Sequence, residues 1–331
     1  MSTPRSLQTR RGLLRFPAYV PVTTWGEKYP LDALLRPYLG RLARAIMVSY
    51  HYAKGIKEPP RIPLMIDSGG FASLFKHSRV EVQSGLGVIE IDTEDGEERI
   101  DPASVLDLQE RLADVAFTLD FPIPPRMDKA TAHRRMELTI ANAHWALENR
   151  RRRDLPLYAC VQAADADNAR VCARAYRDTA FDGTAIGGLV PRARDPDTVI
   201  AIVKAVRNEL PDRPLHVFGL GKPELVRMLF EAGVDSVDSS AYVKLAADGR
   251  LWSNPEFHLA DPSPTERLHL ALCNLAVANG ETLPLSLAGV VFSTELLTAT
   301  EHPKTGEDRG DYRTSWHEST VRAEFHPVLA S

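Results

Sequence analysis

The stretch LHVFGLGKPELVRMLFEAGVDSVD, residues 215–238, decides the fold class of this chain. It opens with a short run suited to a β-strand, Leu215–Phe218, and closes with a second one, Ser236–Val237. Between them Leu225 and Leu229 repeat at helical spacing, after a proline of the kind that often starts a helix. A strand, a helix and a second strand in this order indicate a parallel sheet whose strands are connected by helices.

The same alternation continues towards the amino terminus. A further amphipathic helix is indicated by four apolar residues on one face, Val199, Val203, Val206 and Leu210. Six more strands are predicted at Tyr19–Val22, Ile46–Val48, Leu64–Ile66, Val115–Leu119, Leu157–Val161 and Thr184–Ile186. A total near eight favours an α/β fold closed into a TIM-type (β/α)8 barrel, which commonly holds ~250 residues in one unit.

Two segments depart from the barrel pattern. Val88 to Ile100 alternates apolar and acidic residues around Asp95-Gly96, which predicts an inserted hairpin. After residue 254 several prolines mark a junction, and Thr265 to Ala278 then has the spacing of an amphipathic helix. We therefore predict a barrel over residues 1–254 and a C-terminal helical extension over residues 255–331.

Composition places the chain among ordinary globular proteins, with 44% apolar and 25% charged residues. Only three cysteines occur, without a C-x-x-C pair, which argues against a disulfide framework and a cysteine-rich zinc site. A reducing, cytoplasmic location is expected. The N-terminus lacks the apolar run of a signal peptide, and no segment offers ~18 uninterrupted apolar residues, so no membrane contact is predicted.

The net charge of −4 gives no overall electrostatic signature of a nucleic-acid-binding protein. Any such contact must then use a local basic patch. The candidates are the run Arg150–Arg153 and the trio of Arg36, Arg41 and Arg44. The alternative for such a run is a solvated helix end, where positive charge complements the helix dipole.

The residues that follow the predicted strands are unusually polar or small. Parallel barrels carry their active sites at this end of the strands. Taken singly, an aspartate there can cap a helix and a glycine can permit a turn, but together they point to a site. Asp67–Phe71 is the sharpest element, and the Gly219–Lys222 loop could cradle a phosphate. The strand-end residues are Asp67, Asp120, Gln162, Gly187, Gly188, Gly219 and Asp238.

With these residues in view, the chain resembles the tRNA-guanine transglycosylase superfamily from Pro17 to Trp252. The shared order and spacing of the blocks, rather than any single block, carries the resemblance. The blocks are Pro17–Thr23, Ser49–His51, Asp67–Phe71, Leu119–Asp120, Val161–Gln162, Ile186–Leu189, Gly219–Pro223 and Gly233–Asp238. The resemblance reassigns the Gly219 loop to the wall of a base pocket.

The resemblance implies a base exchange carried out by two carboxylates. Asp238 matches the family's nucleophile, which attacks the anomeric carbon and forms a covalent glycosyl-enzyme. Asp67 would protonate the departing guanine and later take a proton from the incoming base.

The resemblance also implies a pocket for a guanine edge. Asp120 would accept from the ring N–H and amino group, and Gln162 with the Gly188 amide would donate to the exocyclic oxygen. Phe71 would stack on the base. The other expected pocket residues are Ser68, Gly69, Gly70, Gly187, Leu189, Phe218 and Gly219.

The chain departs from the tRNA enzymes in three places. Their zinc site uses three clustered cysteines and a histidine, whereas Cys273 stands alone, so neither zinc nor another cofactor is predicted. Ser239-Ser240-Ala241 replaces the family's Pro-Thr-Arg, and the short remainder after Trp252 leads us to expect no appended RNA-binding domain. In these three places the chain resembles the DNA-deazaguanine transglycosylases. These departures predict insertion of a 7-deazaguanine, such as 7-cyano-7-deazaguanine, into DNA.

Three alternatives stay open. The first is a tRNA transglycosylase of the queuosine or archaeosine type. The second is a non-catalytic subunit of a heteromeric enzyme, against which the retention of both Asp67 and Asp238 counts. The third is a phosphosugar-binding barrel. If the substrate is DNA, an accessory DNA-opening protein is plausible, because a stacked base must be extruded before attack.

Overall fold

The computed structural model describes residues 5–26, 29–93 and 96–280. Its strands are β1 Ser6–Thr9, β2 Gly12–Arg15, β3 Ala18–Pro21, β4 Ile46–Val48, β5 Leu64–Ile66, β6 Ser78–Gln83, β7 Leu86–Thr93, β8 Gly96–Ile100, β9 Val115–Phe117, β10 Leu157–Val161, β11 Gly183–Ile186, β12 Leu215–Val217 and β13 Ser236–Ser239. Its α-helices are α1 Pro30–Leu42, α2 Tyr50–Ala53, α3 Pro102–Leu112, α4 Lys129–Asn149, α5 Ala166–Arg174, α6 Pro196–Glu209, α7 Pro223–Glu231, α8 Ala241–Ala247 and α9 Pro264–Ala278.

Eight parallel strands form one sheet in the order β3-β13-β12-β11-β10-β9-β5-β4. The two end strands meet through a parallel bridge between Val22 and Met47, and the Thr23 amide donates to the Met47 carbonyl at 2.9 Å. The sheet is therefore closed. This confirms the predicted TIM-type barrel with helices between its strands.

All eight predicted strands are present, and only their ends differ. The strand that begins at Val115 ends at Phe117 rather than Leu119, and the one from Leu215 ends at Val217. The last strand is longer than predicted and runs to Ser239. Polar residues that were placed beyond the last strand, Asp238 among them, therefore belong to the strand itself.

The inserted hairpin is confirmed as the antiparallel pair β7 and β8. A third strand, β6, pairs with the other edge of β7, so the insertion is a three-stranded sheet. Asp95, the first residue of the predicted turn, lies outside the described residues. The sheet packs against α4, where the Asn142 amide group exchanges hydrogen bonds with the Gly87 backbone at 2.9 and 3.0 Å.

The hydrophobic core has two layers, because successive strand residues face opposite sides of the sheet. The inner layer fills the barrel with side chains such as Val20, Met47 and Phe117. The outer layer lies between the strands and the helices. Two residues from the amino-terminal region join the inner layer. Leu14 lies in the hairpin of β1 and β2, and Phe16 directly follows it.

The predicted helix after residue 264 is confirmed as α9, which packs on α1 and α8. It begins with a capping box between Ser263 and Glu266. Asn274 ties it to the barrel, accepting from the Trp252 amide at 2.9 Å and donating to the Tyr242 carbonyl at 3.2 Å. Residues 281–331 lie outside the described part, so the domain boundary at residue 254 stays a prediction. None of the described helices combines the length and apolar character needed to span a bilayer.

Candidate active site

Polar side chains from four strands meet at the carboxyl end of the barrel. Asp67 and Gln162 directly follow β5 and β10, Asp120 lies just beyond β9, and Asp238 is in β13. The charges of Asp238 and Asp120 both act on the carboxyl group of Asp67. Sequence reasoning placed these four side chains at one mouth, and the fold brings them there.

Asp67 is held through only one of its carboxyl oxygens. Oδ1 accepts from the backbone amides of Tyr50 at 2.7 Å and Gly69 at 3.0 Å. Oδ2 has no hydrogen-bond partner within the described part of the chain. Burial raises the pKa of Asp67 to about 7, assisted by the charges of Asp238 and Asp120 and opposed by the two amides. This carboxyl group can therefore give or take a proton near neutral pH.

Asp120 lies in a closed network of side chains. Its Oδ1 accepts from the Ser68 hydroxyl and its Oδ2 from the Gln162 amide, both at 2.5 Å. Gln162 in turn accepts from the Ile123 amide through its own oxygen, at 3.3 Å. Burial raises the pKa of Asp120, although the two side-chain donors oppose this effect. The network holds hydrogen-bond acceptors and donors in fixed positions, where they can pair with the edge of a planar ligand.

Two glycines make this network possible. A Cβ atom on Gly70 would lie 2.1 Å from the Asp120 carbonyl oxygen, and one on Gly187 would lie 2.1 Å from the Gln162 amide nitrogen. Real Cβ atoms do not approach other atoms so closely. The sequence Gly-Gly at each of these turns therefore reflects close packing against the polar network as well as backbone freedom.

Asp238 is likewise anchored through a single oxygen. Its Oδ1 contacts His216 Nε2 at 3.0 Å and accepts from the Gly219 amide at 3.1 Å. The other ring nitrogen of His216 contacts the Ser236 hydroxyl at 2.8 Å. Asp238 is 6% exposed and His216 is fully buried. Sequence reasoning missed His216 and Ser236; the available signal was a histidine inside a strand opposite a Ser-x-Asp pair.

The apolar residues predicted for the pocket occupy different surroundings. Phe218 lies against the rings of Phe117 and His216, with centroid separations of 4.9 and 4.8 Å. Leu189 is buried. Phe71 is 44% exposed and meets Phe75 edge to face.

Two arginines that the sequence did not single out fix the loops around the mouth. Arg192 donates to the carbonyls of Ile123, Gly188 and Ala164 at 2.7 to 3.1 Å. Arg135 joins the turn after Asp67 to the loop after β9 by donating to the hydroxyl and carbonyl of Ser73 and to the Pro122 carbonyl. Because guanidinium groups offer five donors, each can hold several loop carbonyls at once.

The Arg150–Arg153 run has a largely structural role. Arg150 is buried and pairs with Asp182 at 2.5 Å, and Arg151 pairs with Glu110 at 2.9 Å. The run lies between α4 and β10, at the end of the barrel opposite the carboxylates. The run therefore lies away from the carboxylates, and its role as a nucleic-acid patch stays a prediction.

The second basic group is also engaged with the protein. Arg36 donates to the Gly26 carbonyl and lies over the Trp25 ring at 5.1 Å. Arg44 donates to the Pro17 carbonyl at 2.8 Å. Arg41 is exposed, but its two neighbours in the predicted patch are occupied.

A zinc site does not fit the residues that the structure describes. In residues 5–26, 29–93 and 96–280, no three His, Cys, Asp or Glu side chains are grouped as metal ligands. Cys160 and Cys172 are buried, and burial raises the pKa of both thiols. Zinc binds the thiolate, which burial in apolar surroundings disfavours.

Comparison with known proteins bears directly on this site. A family model described as queuine tRNA-ribosyltransferase matches residues 5–275, which include the whole barrel and the four polar strand-end side chains. The chain belongs to this family. The superfamily resemblance drawn from the strand-end motifs is thereby confirmed.

Similar curated proteins are archaeal tRNA-guanine(15) transglycosylases. The protein of Methanococcus aeolicus is 30% identical over 180 residues, covering 52% of this chain and 28% of the relative. That of Pyrococcus abyssi is 32% identical over 178 residues, covering 50% and 30%. That of Archaeoglobus fulgidus is 30% identical over 196 residues, covering 57% and 36%. The matches thus span about a third of the length of these relatives.

Proposed function

We propose that this chain exchanges a guanine in a nucleic acid for a free guanine-like base by double displacement. The observation that carries the proposal is a pair of acids of different character at one mouth. Asp67 has a pKa raised to about 7, and Asp238 is anchored through Oδ1 with its Oδ2 unpartnered among the described residues. One is suited to proton transfer and the other to nucleophilic attack.

In the first displacement Oδ2 of Asp238 attacks the anomeric carbon of the target nucleotide. The glycosidic C–N bond breaks, its electron pair goes to the departing guanine, and Asp67 gives that base its proton. The product is an aspartyl-glycosyl ester, as in retaining glycosidases. Asp67 is left ionised.

In the second displacement the incoming base loses a proton to Asp67 and its nitrogen attacks the same carbon. The ester bond to Asp238 breaks, and its carboxylate is restored. Two inversions retain the anomeric configuration. Asp67 ends protonated, so the cycle closes without an external acid or base.

Base selection is assigned to Asp120 and Gln162. The Gln162 amide donates to Oδ2 of Asp120, so a guanine edge would replace this bond. The acceptor of Asp120 and the donor of Gln162 would then face the amino group and carbonyl of guanine. Ser68, Gly69, Gly70, Gly187, Gly188, Leu189, Phe218 and Gly219 complete the proposed pocket, with Phe71 stacking on the base.

For the polymer, the comparisons favour tRNA, the alternative that the sequence analysis left open. The family description and the names of the similar proteins all refer to tRNA. The prediction of DNA has no support among them. The choice of a 7-deazaguanine as incoming base and a cytoplasmic location are retained as parts of the proposal.

The test is incorporation of radiolabelled guanine into tRNA and into duplex and single-stranded DNA, side by side at matched low salt. We expect label in tRNA, and we expect Asp238→Ala to lower its rate by at least about 10³-fold. A denaturing gel should also show a protein–nucleic acid adduct with the wild type only. Label in DNA alone would overturn the choice of tRNA, whereas undiminished exchange by Asp238→Ala would overturn the mechanism.

A further inference from the structure

The inner faces of β12 and β13 differ from the rest of the barrel interior. The inner positions of other strands are apolar, as at Val20, Met65, Val115 and Phe117. On β12 and β13 the corresponding positions hold His216, Ser236 and Asp238. All three side chains are buried, at 0%, 1% and 6% exposure. Polar groups placed in such a core are costly unless each is hydrogen-bonded.

Strand register brings the three side chains into one chain of contacts. His216 and Ser236 are directly paired on the parallel strands, and Asp238, two residues on, faces the same side. His216 Nδ1 lies 2.8 Å from the Ser236 hydroxyl, and Nε2 lies 3.0 Å from Oδ1 of Asp238. The imidazole therefore contacts both polar groups on its neighbouring strand, one through each ring nitrogen.

The direction of the hydrogen bonds follows from the carboxylate that Asp238 must present as the proposed nucleophile. An ionised Asp238 can only accept, so His216 must carry a proton on Nε2 and donate it to Oδ1. In the neutral ring Nδ1 is then an acceptor, and the Ser236 hydroxyl can donate to it. The carboxylate of Asp238 thus selects the tautomer in which Nε2 bears the proton, and the Ser236 hydroxyl, which can donate, pairs with Nδ1.

We infer that His216, held by Ser236, is a positioning residue that determines which oxygen of Asp238 attacks the anomeric carbon. This inference rests on the proposed function. Together with the Gly219 amide at 3.1 Å, His216 occupies Oδ1 and leaves Oδ2 for the new bond. In the ester intermediate Oδ1 becomes the carbonyl oxygen. The same two donors then stabilise the charge that returns to the carboxylate when the ester breaks.

His216 acts through Asp238 because its ring has no route to the substrate. It is fully buried, with the Phe117 ring at 5.2 Å and the Phe218 ring at 4.8 Å. Proton exchange with the base stays with Asp67, which directly follows β5 on another side of the barrel.

The experiment compares four variants in the guanine exchange assay, using the polymer that the wild type labels. His216→Phe keeps a flat ring but removes both nitrogens, and His216→Gln restores a donor near the position of Nε2. Ser236→Ala removes the outer hydrogen bond. Val115→Ala is the matched control, because it truncates the same barrel interior at the amino end of β9, away from Asp238.

We expect His216→Phe to lower kcat by about 10- to 100-fold, the usual effect of losing a hydrogen bond to a charged group, with the KM for guanine within about twofold. His216→Gln should recover at least about a third of the loss on a logarithmic scale, and Ser236→Ala should lower kcat by a smaller factor. Val115→Ala should lower Tm with kcat unchanged.

Three results would overturn the inference. They are full kcat in His216→Phe, an equal loss in His216→Phe and His216→Gln at matched Tm, or a rise in KM that accounts for the whole effect. The wild-type arm tests the proposed function separately. A wild type that exchanges guanine normally while His216→Phe does the same would remove only the role of His216.

Discussion

At the scale of single residues, Asp67 offers the most direct test of the acid–base assignment. Its protonated form predominates below pH 7 and falls about tenfold per pH unit above its pKa of about 7. We therefore expect the first displacement, measured as single-turnover release of guanine, to slow as pH rises through 7. Asp67→Asn should lower this rate by about 10²- to 10⁴-fold and abolish the pH dependence. Loss of guanine binding in Asp67→Asn would instead make Asp67 a binding group.

The same raised pKa predicts how stability depends on pH. In the unfolded chain Asp67 titrates near 3.8, whereas in the fold it titrates near 7. Below about pH 4 the group is protonated in both states, and as pH rises towards 7 the folded protein loses stability relative to a variant that cannot ionise. The stability of Asp67→Asn relative to the wild type should therefore grow by on the order of 2 kcal/mol between pH 5 and pH 8.

Urea denaturation at the two pH values measures this difference. Asp128→Asn is the matched control. Asp128 caps α4, and the Thr131 amide lowers its pKa, so it stays ionised throughout this range. The control should show no growth with pH. An equal growth in both variants would contradict the assignment of the raised pKa to Asp67.

At the scale of structural elements, the turn after β5 depends on close packing against Asp120. A Cβ atom on Gly70 would lie 2.1 Å from the Asp120 carbonyl oxygen and 2.6 Å from its Oδ1. Gly70→Ala should therefore displace Asp120 and raise the KM for guanine at least tenfold, since small displacements in a site have effects of up to about 10²-fold.

Gly40→Ala provides the comparison for that substitution. Gly40 lies within α1, where an added Cβ would meet Ile62 at 3.4 Å, so the change should leave KM unaltered and raise stability by about 0.5–1 kcal/mol. Steady-state kinetics and thermal denaturation of the two variants test both expectations. An unchanged KM in Gly70→Ala would show that the pocket does not need this packing.

The sequence predicted most accurately those strands whose residues are all buried in the core. Barrel strands such as Leu64–Ile66 and Leu157–Val161 are continuous apolar runs, and their bounds were predicted without error. β6 was missed because none of its residues is fully buried, so its alternation is weak. The strand from Val115 ends two residues earlier than predicted. There the Cys160 amide of β10 donates to the Thr118 hydroxyl, a side-chain contact, at 3.0 Å.

The candidate site residues likewise differ in whether their position along the sequence alone indicates a role. The candidate residues Asp67, Asp120, Gln162 and Asp238 could be placed at one mouth because each lies at or just beyond the end of a strand, where barrels of this type carry their sites. His216 could not, because its partners Ser236 and Asp238 are brought to it only by the register of two strands. The ion pairs of Arg150 and Arg151 could not be predicted either, because their partners, Asp182 and Glu110, are distant in sequence.

At the scale of the whole molecule, the remaining question is whether the protein depends on zinc. We predict that purified protein contains less than stoichiometric zinc and retains guanine exchange in chelator. A closed structural zinc site needs four ligands, and the described residues provide no group of even three. Cys273 is half-buried in α9, and burial raises the pKa of its thiol to about 11, which disfavours the thiolate that zinc requires. Metal analysis after dialysis, with exchange assayed before and after chelation, measures both parts. One zinc per chain together with loss of activity in chelator would contradict the prediction and direct attention to His302, His317 and His326, the histidines beyond the described residues.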